Sequence, residues 1–142
     1  MFQLAGINVR LATRSEWPRI ETFYRERNYL GVLSPSATVV VAEHGPDLVG
    51  LGRVQLEEGV LVLRGMRVDP RFQRRGVGSR ILDRLIGDIG DRVCYCIPYT
   101  HLREFYGRVR FVEAGIDTAP PFLADRVVDY RGRGLEVLLM RR

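Results

Sequence analysis

Residues 60–89 constrain the fold of this chain more than any other stretch. Val60–Val68 is the longest strand candidate, and it leads into a polar loop that contains Gly76 and Gly78. The loop opens a helix with one apolar face, formed by Ile81, Leu82, Leu85, Ile86 and Ile89. A short buried strand, Val93–Ile97, comes next. This pattern predicts a parallel pair of strands joined by a right-handed helical crossover.

The residues before this unit predict a helix followed by an antiparallel meander. Thr13 and Glu16 fit a capping box. Apolar residues at helical spacing then predict a helix over residues 15–27, and a further helical turn is expected near Tyr29–Leu33. Strands are predicted at Ile7–Leu11, Thr38–Glu43 and Leu48–Gln55.

The residues after the unit predict shorter elements. Leu102–Arg108 is a short helix candidate. Strands are expected at Phe111–Ala114 and Leu135–Met140, joined by a connection that contains Pro120 and Pro121. We therefore expect an α/β fold, with a single mixed and mostly antiparallel sheet flanked by helices, in one domain that spans residues 1–142.

Charge and composition exclude several classes of function. The net charge is +5 and all 22 basic residues are arginine, so Schiff-base catalysis and a Walker-type phosphate lysine are excluded. The arginines are scattered among carboxylates, and no recognisable nucleic-acid-binding motif is present, so we expect no nucleic-acid partner. No apolar run approaches the roughly 20 residues that span a bilayer, and the first residues lack a signal-peptide pattern. These features predict a cytoplasmic protein without a membrane partner.

The two cysteines, Cys94 and Cys96, lie two residues apart in a strand candidate. Such residues point to the same face, where a mutual disulfide has poor geometry. Two thiols are too few for a structural zinc site, and the sequence has no pair of histidines nearby. We expect buried structural thiols and no bound metal.

The loop before the amphipathic helix has the features of a phosphate-binding site. The first amides of a helix have no internal acceptor, and the helix dipole places partial positive charge there. Gly76 and Gly78 allow an anion to approach the backbone closely, and Arg74 and Arg75 add positive charge. A Walker loop would need a lysine, and the dinucleotide fingerprint would need a third glycine where Ile81 stands.

The segment Gln73-Arg74-Arg75-Gly76-Val77-Gly78 resembles motif A of the GNAT superfamily of N-acetyltransferases, written Q/R-x-x-G-x-G/A. Residues 66–70 are similar to the family's fourth strand where it enters this loop, and the amphipathic helix is similar to its third helix. The order of elements resembles the family over nearly the whole chain. The resemblance implies the GNAT-like acyl-CoA N-acyltransferase fold, with acetyl-CoA as cosubstrate and no metal.

The resemblance also implies which residues bind the cofactor. Backbone groups of Met66 and Val68 would pair with the pantetheine arm as an added strand would. Arg67 would contact the cofactor or the substrate, or else face solvent, and Gln73 would support the loop. The pyrophosphate would lie on backbone amides of the loop and the first helical turn, which belong to Arg74, Arg75, Gly76, Val77, Gly78 and Ser79.

The departing thiolate needs a proton donor, and Tyr106 is the first candidate. The family often has a tyrosine in the helix after its fifth strand, and a phenol of pKa about 10 is a suitable acid towards a thiolate. A packing role beside Phe105 is the alternative, and Tyr99 is a second candidate donor. Tyr99 stands where the family frequently has asparagine, and Arg110 precedes Phe111 where the family commonly has glycine.

The general base and the acceptor site are less defined. Candidate bases lie near turns and strand ends: Glu43, His44, Glu57, Glu58 and His101. Water chains can also deprotonate an amine, so a dedicated base is not required. The acceptor is expected between the N-terminal helix and residues 114–129, where Asp117, Asp125 and Asp129 could attract a cationic amine.

The sequence therefore predicts an acyl-CoA-dependent N-acyltransferase that transfers acetyl from acetyl-CoA to a primary amine of a small molecule, directly in a ternary complex. The alternative is a non-catalytic acyl-CoA-binding sensor or regulatory module. A homodimer is a candidate assembly, since the family often pairs through its C-terminal strands.

Overall fold

The computed structural model describes residues 6–29 and 33–142. The strands in these ranges are Ile7–Leu11 (β1), Thr38–His44 (β2), Asp47–Glu57 (β3), Val60–Val68 (β4), Cys94–Cys96 (β5), Val112–Glu113 (β6) and Met140–Arg141 (β7). The α-helices are Trp17–Glu26 (α1), Val77–Ile89 (α2), Arg103–Gly107 (α3) and Pro121–Gly132 (α4). None of the helices in the described ranges combines the length and hydropathy that a membrane crossing requires.

The strands form one mixed sheet in the order β1-β2-β3-β4-β5-β7-β6. β4 and β5 pair in parallel, and every other neighbouring pair is antiparallel. α2 makes the parallel pairing possible, because a helical crossover returns the chain to the end of the sheet at which β4 begins. This arrangement confirms the predicted mixed, mostly antiparallel sheet flanked by helices.

The two faces of the sheet are covered differently. α2 covers one face with a continuous apolar cluster that includes Ile81, Leu85 and both cysteines. On the other face, one cluster under α1 packs on β2 and β3, and a second cluster under α4 packs on β5 and the residues before β7. Between these two clusters lies a polar stripe on β3, formed by the alternating residues Arg53, Gln55 and Glu57. The gap between α1 and α4 is therefore polar.

β4 carries one extra residue opposite β3. Gly65 and Met66 both lie opposite Gly52, because the register of the ladder shifts at this point. Gly65 has φ +70°, and its carbonyl accepts a hydrogen bond from the Tyr24 hydroxyl at 2.7 Å. A Cβ at residue 65 would overlap that hydroxyl and lie 2.7 Å from the Arg53 guanidinium. The bulge thus fixes α1 against the middle of β4.

Most predicted elements are present with small shifts in their ends. The capping box is confirmed, with the Thr13 N–H donating to the Glu16 carboxylate at 2.8 Å. Both cysteines are buried and free, as predicted. The strand predicted at Leu135–Met140 is wrong in most of its length. The strand that pairs in the sheet is β7, which is shorter than predicted and lies closer to the C-terminus. The helical turn expected near Tyr29–Leu33 falls partly on residues 30–32, which lie outside the described residues.

α4 is an element that the sequence pattern does not indicate. The sequence predicts a connection containing Pro120 and Pro121 here, yet Pro121 occupies the first turn of a helix, where proline is tolerated. Leu123 and Val127, four residues apart, are its fully buried residues. Such a short apolar stripe is a weak periodic signal, so the helix depends on packing against the sheet.

Candidate functional site

β4 and β5 diverge shortly after they meet. Their parallel pairing covers Leu61 with Cys94 and Val62 with Tyr95, and β5 ends one residue later, while β4 continues to Val68. A cavity of about 920 Å³ opens along the edge of β4 that this divergence leaves uncovered. The cavity extends from the loop before α2 to the side of α4, so one opening joins two distant parts of the chain.

The main chain of Met66 and Val68 faces this cavity. The Asp69 N–H donates to a β3 carbonyl at 2.8 Å. Hydrogen-bonded and non-hydrogen-bonded pairs alternate along an antiparallel ladder. The backbone of Arg67 therefore bonds to β3, and the backbones of Met66 and Val68 point away from β3. The Met66 carbonyl accepts from the Arg67 side chain at 2.8 Å, and the Val68 carbonyl accepts from the Gln73 side chain at 2.9 Å. The edge of β4 therefore presents polar backbone groups to the cavity.

The loop and the first turn of α2 present a row of backbone amides. The first hydrogen bond of the helix joins the Arg80 N–H to the Gly76 carbonyl at 3.1 Å, so the preceding amides have no acceptor inside the helix. Within the described part of the chain, no side chain or carbonyl accepts from the amides of residues 74–79. Gly76 has φ +83°, which turns the chain into the helix without a Cβ in the way. These features fit an anionic ligand such as a pyrophosphate.

The side chains of this loop are divided between the cavity and the core. Gln73, Arg74, Gly76, Gly78 and Ser79 line the cavity, as do Met66, Arg67 and Val68. Val77 is 1% exposed and packs in the core, and the Arg75 guanidinium lies over the Phe72 ring instead. The side chains of Arg75 and Val77 thus do not line the cavity.

An ion-pair network holds the start of the loop. The Asp69 carboxylate accepts from the Arg71 N–H at 2.9 Å and pairs with the guanidinium groups of Arg71 and Arg27 at 3.1 Å each. The hydrogen bond from the Arg71 side chain is the main reason that the pKa of Asp69 falls to about 2. Asp69 is therefore ionised at neutral pH and ties α1 to the end of β4.

Tyr106 lies in α3 and lines the same cavity. It is 5% exposed, and its ring makes edge contacts with Phe105 and Phe111. Burial raises the pKa of its hydroxyl well above the usual value, and Cys96 nearby adds to this shift. Tyr106 thus packs as a core residue and also reaches the cavity as a neutral hydroxyl.

The second candidate donor, Tyr99, is also at the cavity but is more exposed. It stacks on His101 with the ring centroids 5.8 Å apart, and 43% of its surface is exposed. Both residues line the cavity. Solvent reaches them, so they lie at the rim.

Two of the five candidate bases, Glu43 and Glu57, are held in ion pairs. Glu43 pairs with Arg10 and Arg19, and the hydrogen bond from Arg10 is the main reason that its pKa is lowered. Glu58 lies in an exposed turn, and His44 is exposed beside Phe72. Of the five candidates, His101 lines the cavity.

Glu57, the fifth candidate, is a structural anion. Its carboxylate pairs with Arg126 at 2.7 Å and with Arg64 at 3.3 Å, and it accepts from Gln55 at 3.0 Å. Burial alone would raise the pKa of Glu57, but the hydrogen bond from Arg126 and the two positive charges lower it overall. A carboxylate that stays ionised in this way is a poor proton acceptor.

The end of the cavity near α4 contains residues that no sequence motif indicates. We name it the arginine end, and it consists of Tyr29, Arg64, Arg126, Tyr130 and Arg133. The predicted aspartates are not at this site: Asp117, Asp125 and Asp129 lie outside the cavity lining, and Asp129 pairs with Arg133 at 2.6 Å. Arg64 comes from β4 and Tyr29 follows α1, whereas the other three lie on α4 or directly after it. The sequence pattern does not predict that helix.

Comparisons with known proteins agree with this fold. A model of the acetyltransferase (GNAT) family matches residues 7–111. The fold resembles N-acetylglutamate synthase from Neisseria gonorrhoeae complexed with coenzyme A and N-acetyl-glutamate, at 21% identity and a TM-score of 0.66, covering 96% of this chain and 34% of that chain. The chain thus spans about a third of the length of that synthase. A search of curated proteins found no match.

Two further solved structures are similar over nearly their full lengths. The ribosomal-protein-S18-alanine N-acetyltransferase from Escherichia coli has a TM-score of 0.67 and 16% identity, covering 95% of this chain and 92% of that chain. A Mycobacterium tuberculosis protein in complex with CoA and NLQ has a TM-score of 0.65 and 22% identity, covering 94% and 97%. Since the family model matches well over half of the residues, the chain belongs to the GNAT family of acetyltransferases.

Proposed function

We propose that the protein transfers acetyl from acetyl-CoA directly to a primary amine of a small molecule, in a ternary complex. The observation that supports this is the convergence of three features on one cavity: the backbone edge of β4, the amides before and within the first turn of α2, and the Tyr106 hydroxyl. The first two suit a pantetheine arm and a pyrophosphate, and the third suits a departing thiolate. Solved relatives contain CoA.

In this proposal the residues of the loop and of β4 bind the cofactor. Met66 and Val68 pair with the pantetheine arm through their backbones, and the amides of residues 74–79 hold the pyrophosphate. Gln73 keeps the end of β4 in place through its bond to the Val68 carbonyl. The Arg67 side chain lines the cavity between the cofactor-binding backbone groups and the arginine end.

Acetyl-CoA supplies an activated thioester, and the chain aligns it with the amine. Holding both reactants in one cavity supplies much of the rate. A backbone N–H of β4 polarises the thioester carbonyl. The neutral amine attacks the carbonyl carbon, the carbon–sulfur bond breaks, and the sulfur takes a proton from Tyr106. The amine loses its own proton through water in the cavity, and this proton restores the Tyr106 hydroxyl.

The Tyr106→Phe variant tests the proton donor. The ring and its packing are kept, so we expect kcat to fall about 100-fold while the Kd for acetyl-CoA stays the same. Thiol release with a panel of amines gives kcat, and isothermal titration gives the Kd. The matched control is Tyr95→Phe, a buried tyrosine outside the cavity lining, which should leave kcat unchanged.

Two results would count against the proposal. An unchanged kcat in Tyr106→Phe would remove Tyr106 from the mechanism. Binding of acetyl-CoA without thiol release from any amine in the panel would favour a non-catalytic acyl-CoA sensor instead.

A further inference from the structure

The lining of the cavity contains several arginines. Among the described residues, five arginines reach the cavity and neither aspartate nor glutamate does. These are Arg64, Arg67, Arg74, Arg126 and Arg133. Arg74 belongs to the loop before α2, and the other four lie towards the arginine end. The electrostatic potential there is positive, which disfavours a substrate that carries only positive charge.

Arg64 and Arg126 share a single carboxylate. Glu57 contacts both guanidinium groups, one through each carboxylate oxygen. Because the pKa of Glu57 is lowered, the three groups together carry a net charge of +1. The side chains of both arginines are 24% exposed, so each presents part of its guanidinium to the cavity. The cluster can therefore accept a second carboxylate.

Tyr29 fixes the geometry of this cluster. Its hydroxyl accepts from the Arg64 Nε at 3.0 Å, and its ring lies under the Arg67 guanidinium at 4.8 Å. The carboxylates of the described residues form no ion pair with Arg67. Two arginines on β4 and one on α4 are thus held around one space, which is an arrangement suited to a planar anion.

The positive charge of the arginine end also affects the pKa of the substrate amine. An amine must lose its proton before it attacks, and nearby positive charge lowers the pKa of an ammonium group. The arginine end would therefore favour the neutral amine, which agrees with release of the amine proton to water in place of a dedicated base. A substrate with both an amine and a carboxylate would satisfy the arginines and present the amine towards the thioester.

We propose that the acceptor is an amino acid, or another small primary amine with a carboxylate, whose carboxylate binds to Arg64 and Arg126. This inference rests on the proposed function, since it names the substrate class for the same site. Along β4, Arg64 precedes Val68 by four residues, at most about 13 Å of strand. That spacing leaves the amine between the bound carboxylate and the β4 edge.

Matched acceptors test the substrate class. Each of the common amino acids is compared with its carboxamide, which keeps the amine and side chain but removes the negative charge. We expect kcat/KM for the best acid to exceed that for its carboxamide by about 100-fold. Equal or better turnover of carboxamides would overturn this inference and leave the proposed function standing, whereas a lack of turnover with every amine would overturn the proposed function itself.

Substitution of Arg126 tests the site. In Arg126→Gln, KM for the preferred acid should rise at least about tenfold and the preference over its carboxamide should shrink, while KM for acetyl-CoA stays the same. Arg126→Lys keeps the charge next to Glu57 and should restore much of the preference. Arg92→Gln, which removes an arginine outside the cavity lining, is the control.

A direct binding measurement distinguishes loss of the carboxylate site from loss of the folded structure. With CoA present, isothermal titration of the preferred amino acid should give a Kd that weakens at least about tenfold in Arg126→Gln. The thermal midpoint and the Kd for CoA report whether the variant is folded. An unchanged acid preference in a folded Arg126→Gln protein would refute the assignment.

Discussion

Arg110 holds a backbone conformation that favours glycine. Its φ is +74°, and its N–H closes the turn after α3 by donating to the Gly107 carbonyl. The family commonly has glycine at this position, and the structure gives the reason: the chain must turn left-handed to bring Phe111 beneath Tyr106. The arginine therefore adds strain at a position close to the proposed proton donor.

Replacing Arg110 by glycine should stabilise the protein. Relief of the left-handed strain is worth about 1 kcal/mol, of which part is lost to the greater freedom of glycine in the unfolded chain. We expect the free energy of unfolding in urea to rise by about 0.5 kcal/mol. Arg110→Ala is the control, because it removes the side chain but keeps the strain. A gain as large in the alanine variant would mean that charge, and not backbone conformation, is responsible.

At the scale of elements, the bulge in β4 determines how α1 sits on the sheet. Gly65 accepts from the Tyr24 hydroxyl and leaves no room for a side chain. Tyr24 belongs to α1 and is 3% exposed, and burial is the main reason that its pKa rises to about 12. The hydroxyl therefore remains a hydrogen-bond donor at any pH at which the protein would be studied.

Two glycine substitutions separate steric overlap from backbone strain. Gly65→Ala adds a Cβ that overlaps the Tyr24 hydroxyl at φ +70°, whereas Gly59→Ala adds one at φ +80° with nothing within 4 Å. We expect Gly59→Ala to cost about 1 kcal/mol and Gly65→Ala about 3 kcal/mol, measured by urea unfolding. Similar losses in both variants would show that the structure accommodates the added methyl group.

The sequence predicts correctly those strands and helices whose local residue pattern agrees with their packing in the structure. Val60–Val68 and the apolar face of α2 are strong patterns, and the glycines between them fall where the chain must turn. α4 was missed because its buried stripe is only Leu123 and Val127, and proline at its start suggested a connection.

The residues of the loop and of β4 were predicted from a motif, but Arg126 and Arg133 lie on the missed helix or next to its end. Their meeting with Arg64 depends on long-range packing that local sequence does not encode.

At the scale of the whole molecule, the cavity lies between parts of the chain that are far apart in sequence. The loop before α2, the edge of β4 and α3 meet at one end, and β4 and α4 meet at the other. A ligand that touches several of these elements should stabilise the fold as a unit, since it binds the native state and not the unfolded chain.

Acetyl-CoA should therefore raise the thermal midpoint. At a concentration 100 times its Kd, a ligand adds about 2.7 kcal/mol to the free energy of unfolding, which corresponds to roughly 8 °C for a chain of this size. Differential scanning fluorimetry measures the shift. S-acetylpantetheine at the same concentration lacks the pyrophosphate and should give a clearly smaller shift. Equal shifts would argue against the amides of residues 74–79 as the pyrophosphate site.

The two ends of the cavity differ in how easily mutation can alter them. At the loop end the proposed cofactor contacts are mainly to backbone amides and carbonyls, which every residue except proline supplies, so most substitutions there would preserve them as long as Gly76 keeps the path of the chain. At the arginine end the groups are side chains, and one codon change at residue 64 or 126 removes a charge. Descendants of such a protein could acquire new acceptors within a few mutations while retaining the same acyl donor.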